Sequence, residues 1–346
     1  MKPEENRAHM NYPNNKPVIA ITMGDPAGIG PEICVDALLD RSVYGVCKPL
    51  IIGNSSMLEI ASKILNKNIQ IRLIDDPRQV NYEFGVVNVY EPEKFDASSL
   101  VFGRVQQQAG RMAYDWIKTS IDLGMQGKVD GVTTCPINKQ AIRSAGIKEA
   151  GHTEIYQELT GSPYALTMFS CHQLRVFFLS RHMSLIDACR YVTKENTFEM
   201  LKLVDLELRK AGFANPLIAV AALNPHGSDD GLFGNEEKDA LIPAIEEARL
   251  LGINAIGPVP ADSVFHIGKS GVYDAILSLY HDQGHIATKT LDFEKTVTLT
   301  LGLPFIRGSV DHGTAFDIAG QGKASAVSLV EAIKVVAEYA RKFAGK

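Results

Sequence analysis

The sequence predicts an α/β fold built on a largely parallel sheet covered by helices. Short β-branched runs alternate with helical stretches from one end of the chain to the other. With 45% hydrophobic and 22% charged residues, the composition is that of a folded globular protein. The length of 346 residues suggests two domains, or one large α/β unit with a deep cleft.

In the first half, residues 18–22 form a predicted buried strand. The next segment, 31–39, is a predicted helix that has proline at an early position, where the missing N–H costs no hydrogen bond. Apolar residues recur at helical spacing over 105–121, and Gly124 is positioned to cap that helix. Two further strands are predicted, at 50–53 and 86–90.

The second half continues the alternation of strands and helices. Strands are predicted at 174–179, 217–223 and 296–301, and helices at 185–211 (as one or two), 236–251 and 324–343. The apolar run 275–279 fits a strand and a helix equally, because a short run does not separate the two.

The charge balance argues against nucleic acid and acidic membranes as partners. Lys+Arg number 35 and Asp+Glu 40, a net charge of −5. No apolar run approaches the ~20 residues that a membrane-spanning helix needs. Residues 1–16 are rich in Asn, Pro and charge and resemble a loose tail, not a secretory signal, so we expect a cytoplasmic protein. The five cysteines form no CxxC pair, and we expect reduced, mostly buried thiols.

Several common functional motifs are missing from the sequence. It contains no G-x-G-x-x-G, so no Rossmann dinucleotide fingerprint is present. The Gly268-Lys269-Ser270 triplet resembles the end of a P-loop, but Ser263 stands where that motif needs its first glycine. The absence of H-E-x-x-H, G-x-S-x-G and zinc-type C-x-x-C spacing lowers the peptidase, α/β-hydrolase and zinc-ribbon interpretations.

Three histidines each follow an apolar run: His182, His226 and His281. Ligands of open α/β sheets bind beyond the carboxyl ends of strands, so these imidazoles are candidates for one shared site. Three neutral imidazoles suit a catalytic divalent ion such as Zn²⁺, Co²⁺ or Ni²⁺. The alternative, that each histidine is a separate loop or core residue with its own hydrogen bond, stays open.

Two cations and two glycine-rich segments complete the set of candidates. Lys289 and Arg307 flank the strand predicted at 296–301, where they would grip a phosphate or carboxylate, or else stand as solvated surface charges. Residues 23–32 follow the first strand and open a helix, as a ligand-approaching turn or a structural turn would. Residues 311–322 are rich in Gly and Asp and resemble a ligand-holding loop.

Six segments together resemble the 4-hydroxythreonine-4-phosphate dehydrogenase family of vitamin B6 biosynthesis and its relatives that act on four-carbon acid sugar phosphates. They occur in the expected order over nearly the whole chain: 22–32, 151–154, 224–226, 280–284, 302–307 and 311–322. That family belongs with the isocitrate and isopropylmalate dehydrogenases, whose cofactor loop residues 311–322 resemble.

The resemblance implies the isocitrate/isopropylmalate dehydrogenase-like two-domain α/β fold, with the active site in the cleft between domains. We expect a flexible tail over 1–16, a discontinuous cofactor domain over 17–140 plus 300–346, and a substrate, metal and dimerisation domain over 141–299. A homodimer whose partner subunit completes each active site is also implied.

The resemblance further implies roles for individual residues. The implied metal ligands are His182, His226 and His281, for a divalent Zn, Co, Ni, Mg or Mn ion. The implied substrate contacts are His152, Thr153, Lys289, Thr298 and Arg307. The implied NAD-binding residues are Asp311, His312, Gly313, Thr314 and Asp317. Lys289, Asp262 and Asp282 are the candidates for moving protons, and the sequence does not choose among them.

The family chemistry implied is metal-assisted oxidation at C3 with NAD⁺, followed by loss of CO₂. This chain departs from the B6 enzymes at 227–230, at Thr298, which replaces an Asn, and over 175–183. Threonine offers only a hydroxyl and a methyl group where Asn offers an amide. The departures favour the subgroup that converts D-threonate or D-erythronate 4-phosphate to dihydroxyacetone phosphate.

Other functions remain open at this point. They are 4-hydroxy-L-threonine 4-phosphate oxidation for pyridoxal phosphate synthesis, a non-redox His₃-metal hydrolase, a non-catalytic binder of phosphorylated metabolites, and a cis-dihydrodiol dehydrogenase. The presence of both Lys289 and Arg307 argues against the last, whose substrates lack phosphate.

Overall fold

Twelve strands lie side by side in one sheet of the computed structural model, which describes residues 16–148 and 151–344. In chain order the strands are β1 (Val18–Thr22), β2 (Lys48–Ile52), β3 (Gln70–Leu73), β4 (Val86–Tyr90), β5 (Gly131–Thr134), β6 (Leu166–Cys171), β7 (Leu174–Phe178), β8 (Ile218–Ala221), β9 (Ala255–Val259), β10 (Ala275–Ser278), β11 (Val297–Leu301) and β12 (Ile306–Val310). Their order across the sheet is β3-β4-β2-β1-β5-β12-β11-β6-β7-β10-β8-β9.

Helices cover the sheet. They are α1 (Gly30–Leu38), α2 (Arg41–Val46), α3 (Ser55–Ile64), α4 (Gln107–Met125), α5 (Lys139–Ser144), α6 (His152–Thr160), α7 (Leu185–Tyr191), α8 (Lys194–Lys210), α9 (Ile242–Leu250), α10 (Ala261–Gly268), α11 (His281–Leu291) and α12 (Val327–Ala344). A π-helical turn, Glu237–Leu241, leads into α9. None of these described helices has the length and apolarity needed to cross a bilayer.

The sheet reverses direction at its middle. Strand β11 is antiparallel to both its neighbours, β12 and β6, and β6 is antiparallel to β7, whereas the other neighbouring strands pair in parallel. The carboxyl ends of β7, β10 and β8 therefore meet at one edge, while those of β1, β5 and β12 meet at the opposite edge. This reversal places two sets of loops at opposite ends of the central strands.

The predicted α/β class is confirmed, and most predicted elements are present. Strands β1 and β4 have the predicted bounds, the ambiguous run 275–279 is strand β10, and 185–211 forms the two helices α7 and α8. Strands β3, β5, β6, β9 and β12 were not predicted. Residues 1–15 of the expected tail lie outside the described residues.

The expected cap at Gly124 is wrong. Helix α4 continues through this residue to Met125, and the left-handed glycine that follows the helix is Gly127, with φ of 66°. A Cβ on Gly124 would lie 2.6 Å from the Phe305 ring, so the glycine permits close packing and does not end the helix.

Helices pack against both halves of the sheet. Helices α4 and α12 both pack on β1 and β5, α12 also packs on β12, and they bury side chains such as Trp116 and Tyr339. Helices α10 and α11 pack on β7 and β10 over a second apolar cluster that includes Phe169 and Phe178. The sheet runs unbroken between β12 and β11, where the predicted domains would meet. All five cysteines are free and only Cys189 is not fully buried, as the sequence predicts.

Candidate active site

A buried arginine lies at the centre of the sheet. Arg307 on β12 is 2% exposed, and its two terminal nitrogens donate to the hydroxyls of Thr300 (3.1 Å) and Thr134 (2.6 Å). Its ε N–H is buried without a hydrogen-bond partner in the described part of the chain. Burial lowers the pKa of the guanidinium to about 10, which leaves it charged at neutral pH. A buried, incompletely satisfied cation of this kind suits an anionic ligand.

A histidine, His152, lies near Arg307. His152 is the first residue of α6, and its Nε2 is buried without a partner among the described residues. Burial, and then the charges of Arg307 and Lys139, lower the pKa of His152 well below its usual value, so the ring is neutral. His152 lines a cavity of about 140 Å³. The cavity also contacts Thr134, Lys139, Ser309, His312 and Gly313.

The predicted substrate residues fall into two groups. Thr298 on β11 is half-buried and pairs in register with Ser309, two positions from Thr300, so it shares the face of Arg307. Thr153 follows His152 in the first turn of α6. Lys289, at the far end of α11, instead pairs with Asp311, its Nζ 2.9 Å from Oδ2. A predicted substrate residue thus neutralises a predicted cofactor residue.

Two of the three predicted metal ligands lie together. The ring centroids of His182, after β7, and His281, at the start of α11, are 6.0 Å apart, and both line a pocket of about 460 Å³. His281 Nδ1 is 2.6 Å from Asp282 Oδ1, which leaves Nε2 to face a ligand. The pKa of His182 is lowered by burial and then by Arg181 and His281. This lowered pKa and the contact of His281 with Asp282 both suit neutral imidazole ligands. The ring of His285 stacks on His281 at 3.7 Å.

His226 does not join this pair within the chain. It is exposed in a 3₁₀ turn, Pro225–Ser228, with φ of 57°. Among the described residues, no group of three His, Cys, Asp or Glu side chains is arranged to hold a metal ion. The described residues thus bring two of the three predicted imidazoles together and leave the third apart.

The remaining acid–base candidates are at the surface. The side chain of Asp282 is 71% exposed and is engaged with His281. Asp262 is exposed in the first turn of α10, just after β9. Both lie at the edge of the sheet that carries His182 and His281, whereas Lys289 and Asp311 lie at the opposite edge.

The two glycine-rich segments are neighbours in the fold. Ile29 N donates to Thr314 O at 3.1 Å, and a Cβ on Gly28 would lie 2.9 Å from Thr314. Buried Glu32 accepts hydrogen bonds from the backbone N–H groups of Gly320 (2.9 Å) and Gly322 (2.6 Å). These bonds hold the 311–322 loop on the first turn of α1, while the Asp317 side chain stays exposed.

Replacing Glu32 by Ala is expected to destabilise the loop, because two backbone N–H groups then lose their carboxylate acceptor. We expect a loss of roughly 2–4 kcal/mol in the free energy of unfolding in urea. Glu32→Gln, which keeps one acceptor oxygen, is expected to lose less. Equal stability of Glu32→Ala and the unaltered protein would show that the carboxylate does not hold the loop.

Sequence reasoning missed four residues that the fold brings to this site: Thr134, Lys139, Glu154 and Arg181. Lys139 lowers and Glu154 raises the pKa of His182, and Arg307 and Lys139 both lower the pKa of His152. The charge of Lys139 therefore acts on one histidine in each of the two regions. Glu154 belongs to a segment of the family resemblance and Arg181 to the divergent segment 175–183, whereas Thr134 and Lys139 carry no sequence signal of their own.

Comparison with known proteins gives the class of the protein. A protein of Symbiobacterium thermophilum is 50% identical over 330 residues, covering 95% of this chain and 98% of its own. It is provisionally named a D-threonate 4-phosphate dehydrogenase. The structure of a 4-hydroxythreonine-4-phosphate dehydrogenase from Burkholderia phymatum is 40% identical with a TM-score of 0.85, covering 94% of this chain and 99% of its own. That of the Klebsiella pneumoniae enzyme is 37% identical with a TM-score of 0.87, covering 94% and 98%.

These relatives share the fold over almost their entire lengths and are all dehydrogenases. This protein is accordingly an oxidoreductase that acts on a CH–OH group. The model of pyridoxal phosphate biosynthetic protein PdxA matches residues 45–336, and the chain belongs to the PdxA family.

Proposed function

We propose that the protein oxidises and decarboxylates a four-carbon acid that carries a 4-phosphate, with NAD⁺ and a divalent metal ion. The substrate is D-threonate 4-phosphate or D-erythronate 4-phosphate. Oxidation at C3 passes a hydride to NAD⁺ and a proton to a base, and the 3-oxo acid then loses C1 as CO₂ and takes up one proton. Dihydroxyacetone phosphate, CO₂ and NADH result, in a route of sugar acid catabolism.

The observation that carries this proposal is the incompletely satisfied Arg307 beside the enclosed Nε2 of His152. A buried guanidinium and a neighbouring imidazole suit the several oxygens of a phosphate. The provisional name of the 50% identical relative, a dehydrogenase of D-threonate 4-phosphate, supports this substrate class. Thr298 supports it as well, because a hydroxyl lacks the amide donor that an Asn would offer to the substrate.

His182 and His281 are the proposed ligands of the metal ion, with Asp282 orienting His281 through its Nδ1. His226 is the proposed third ligand. When bound, such an ion supplies Lewis-acid stabilisation of negative charge on the substrate oxygens. Zn, Co, Ni, Mg and Mn remain the candidates.

A homodimer with shared active sites would bring His226 of one copy to the pair on the other. The exposed position of His226 supports this, as do large apolar side chains exposed in the second half of the chain. They include Leu185 (60%), Ile186 (65%), Leu232 (72%), Ile286 (62%) and Phe293 (60%). We also propose a cytoplasmic location, which five free cysteines support.

For NAD, we propose the 311–322 loop, with Asp311, His312, Gly313, Thr314 and Asp317 as its binding residues. His312 and Gly313 line the cavity that His152 also lines, so a nicotinamide on this loop would lie beside the substrate. Lys289, Asp262 and Asp282 remain the proposed candidates for moving protons, with Lys289 paired to Asp311 and Asp282 to His281.

The test is NADH formation with D-threonate 4-phosphate, D-erythronate 4-phosphate and 4-hydroxy-L-threonine 4-phosphate, each with divalent metal and with chelator. We expect metal-dependent turnover dominated by an acid sugar phosphate. Turnover dominated by the amino substrate would instead assign the protein to pyridoxal phosphate synthesis, the second candidate, which the names of the family and of the solved relatives favour. No NAD⁺ reduction with any of the three would return the non-redox alternatives.

Replacing Asp282 by Asn is expected to weaken metal affinity by about 10- to 100-fold, because the carboxylate that orients the His281 ring is lost. Metal titration of the apoprotein measures the effect without turnover. Glu294→Gln on the surface is the control and should leave the affinity unchanged. Unaltered affinity in Asp282→Asn would show that this carboxylate plays no part in metal binding.

A further inference from the structure

A second arginine lies on the face of the sheet that carries Arg307. Arg181 directly precedes His182 and lines the pocket of His182 and His281. Its guanidinium donates a hydrogen bond to the hydroxyl of Thr167 on β6. In the described part of the chain no carboxylate forms an ion pair with it, and Glu154 is the acidic group that acts on its charge from a distance. Burial disfavours its charged form.

The positions of the two arginines are linked through a pair of threonines. Thr167 on β6 and Thr300 on β11 are directly opposite each other in the antiparallel register, so both hydroxyls project from one face. Arg181 holds the first hydroxyl and Arg307 the second. Directly opposite side chains have Cβ atoms about 5 Å apart, and with one hydrogen bond at each hydroxyl the two guanidinium groups are at most about 13 Å apart.

That separation matches a short molecule with an anion at each end. In a four-carbon acid 4-phosphate, five bonds of about 1.5 Å join the carboxyl carbon to phosphorus, an extended span of about 6 Å. With one hydrogen-bond length at each end, such a molecule reaches from one guanidinium to the other. A substrate with a single anionic group would leave one of the two cations unpaired.

We infer that Arg181 binds the C1 carboxylate of the substrate and so determines the choice of acids, an inference that rests on the proposed function. Arg307 has the enclosed His152 beside it, a set of donors suited to the several oxygens of a phosphate. Among the described residues Arg181 has one hydrogen-bond partner, Thr167, and it opens on the histidine pocket proposed to hold the metal ion. Its planar pair of N–H groups matches a carboxylate.

Calorimetric binding of two ligands tests this assignment without turnover. D-Threonate 4-phosphate has the carboxylate, and D-threitol 4-phosphate has a hydroxymethyl group in its place. In Arg181→Gln we expect affinity for the acid to fall by about 10- to 100-fold and affinity for the alcohol to change less than threefold. Arg181→Lys, which keeps the charge and a donor for Thr167, should lose less for the acid and nothing for the alcohol.

Arg190→Gln is the matched control, because Arg190 is exposed on α7 and pairs with Asp187. It should bind both ligands as the unaltered protein does. Equal weakening of both ligands in Arg181→Gln and Arg181→Lys, or no change in either, would overturn the assignment. If the unaltered protein bound the alcohol as tightly as the acid, the assignment would fail while the phosphate site stood. Binding of neither ligand would overturn the proposed function, and this inference with it.

Discussion

Replacing Arg307 by Gln is expected to raise KM for the phosphorylated substrate by at least about 100-fold, because a buried cation then no longer pairs with the phosphate. The same change should alter the free energy of unfolding by no more than about 1 kcal/mol. In the free protein this guanidinium is buried without a carboxylate partner, and removing it relieves a desolvation cost while leaving an amide to bond Thr300. Steady-state kinetics and urea denaturation measure the two effects.

Arg72→Gln provides the control for Arg307. Arg72 is half-buried on β3 and pairs with Glu83, far along the sheet from the site. Its replacement should change KM by no more than about twofold and the free energy of unfolding by no more than about 0.5 kcal/mol. An Arg307→Gln variant with normal KM would place the phosphate elsewhere, whereas a variant that loses several kcal/mol of stability would make Arg307 a structural residue.

Replacing His182 or His281 by Ala is expected to abolish binding of the divalent ion and to lower kcat by at least about 1000-fold, since the Lewis acid is worth several kcal/mol to the transition state. The side chains of His182 and His281 contribute little to the core, so both variants should fold. Metal content, measured by elemental analysis of the dialysed protein, checks the first part of this prediction independently of rate.

His172→Asn is the control for these variants. His172 pairs with Asp292 and has φ of 54°, a conformation that Asn tolerates. It should keep full metal content and activity. If His182→Ala retained its metal ion and its rate, the histidine site proposed here would be wrong. His226→Ala tests the proposed third ligand. Loss of metal in that variant would mean that His226 approaches His182 and His281 when the ion is bound.

Local sequence patterns were sufficient for much of the fold. The alternation of apolar runs and amphipathic stretches predicted β1, β4 and both helices between 185 and 211 within a few residues. It failed at Gly124, because a glycine that permits a close contact with a distant Phe305 cannot be told from a glycine that caps a helix. It also omitted β5 and β12, the two central strands, whose short runs contain Gly and Thr or Arg and Ser.

The candidate site was predictable only in part, for a related reason. Each of the histidines 182, 226 and 281 follows a strand, as predicted, yet the chain gathers only two of them. The sequence identified Arg307 as a candidate. It did not predict that the side chain is buried, or that its ε N–H has no hydrogen-bond partner among the described residues. The sequence marked Arg181 only as part of the divergent segment 175–183, because nothing local distinguishes a cation held against Thr167 from a solvated one.

The sequence by itself determined the α/β class, the family and the identity of most candidate residues. These follow from periodicity and from motifs that adjacent residues carry in order along the chain. Only the tertiary structure decided that β11 reverses the sheet, that Thr167 and Thr300 stand opposite each other, and that two arginines share their face. Strand pairing joins residues more than a hundred positions apart, and hydrophobic periodicity records that a side chain is buried but not which partner lies against it.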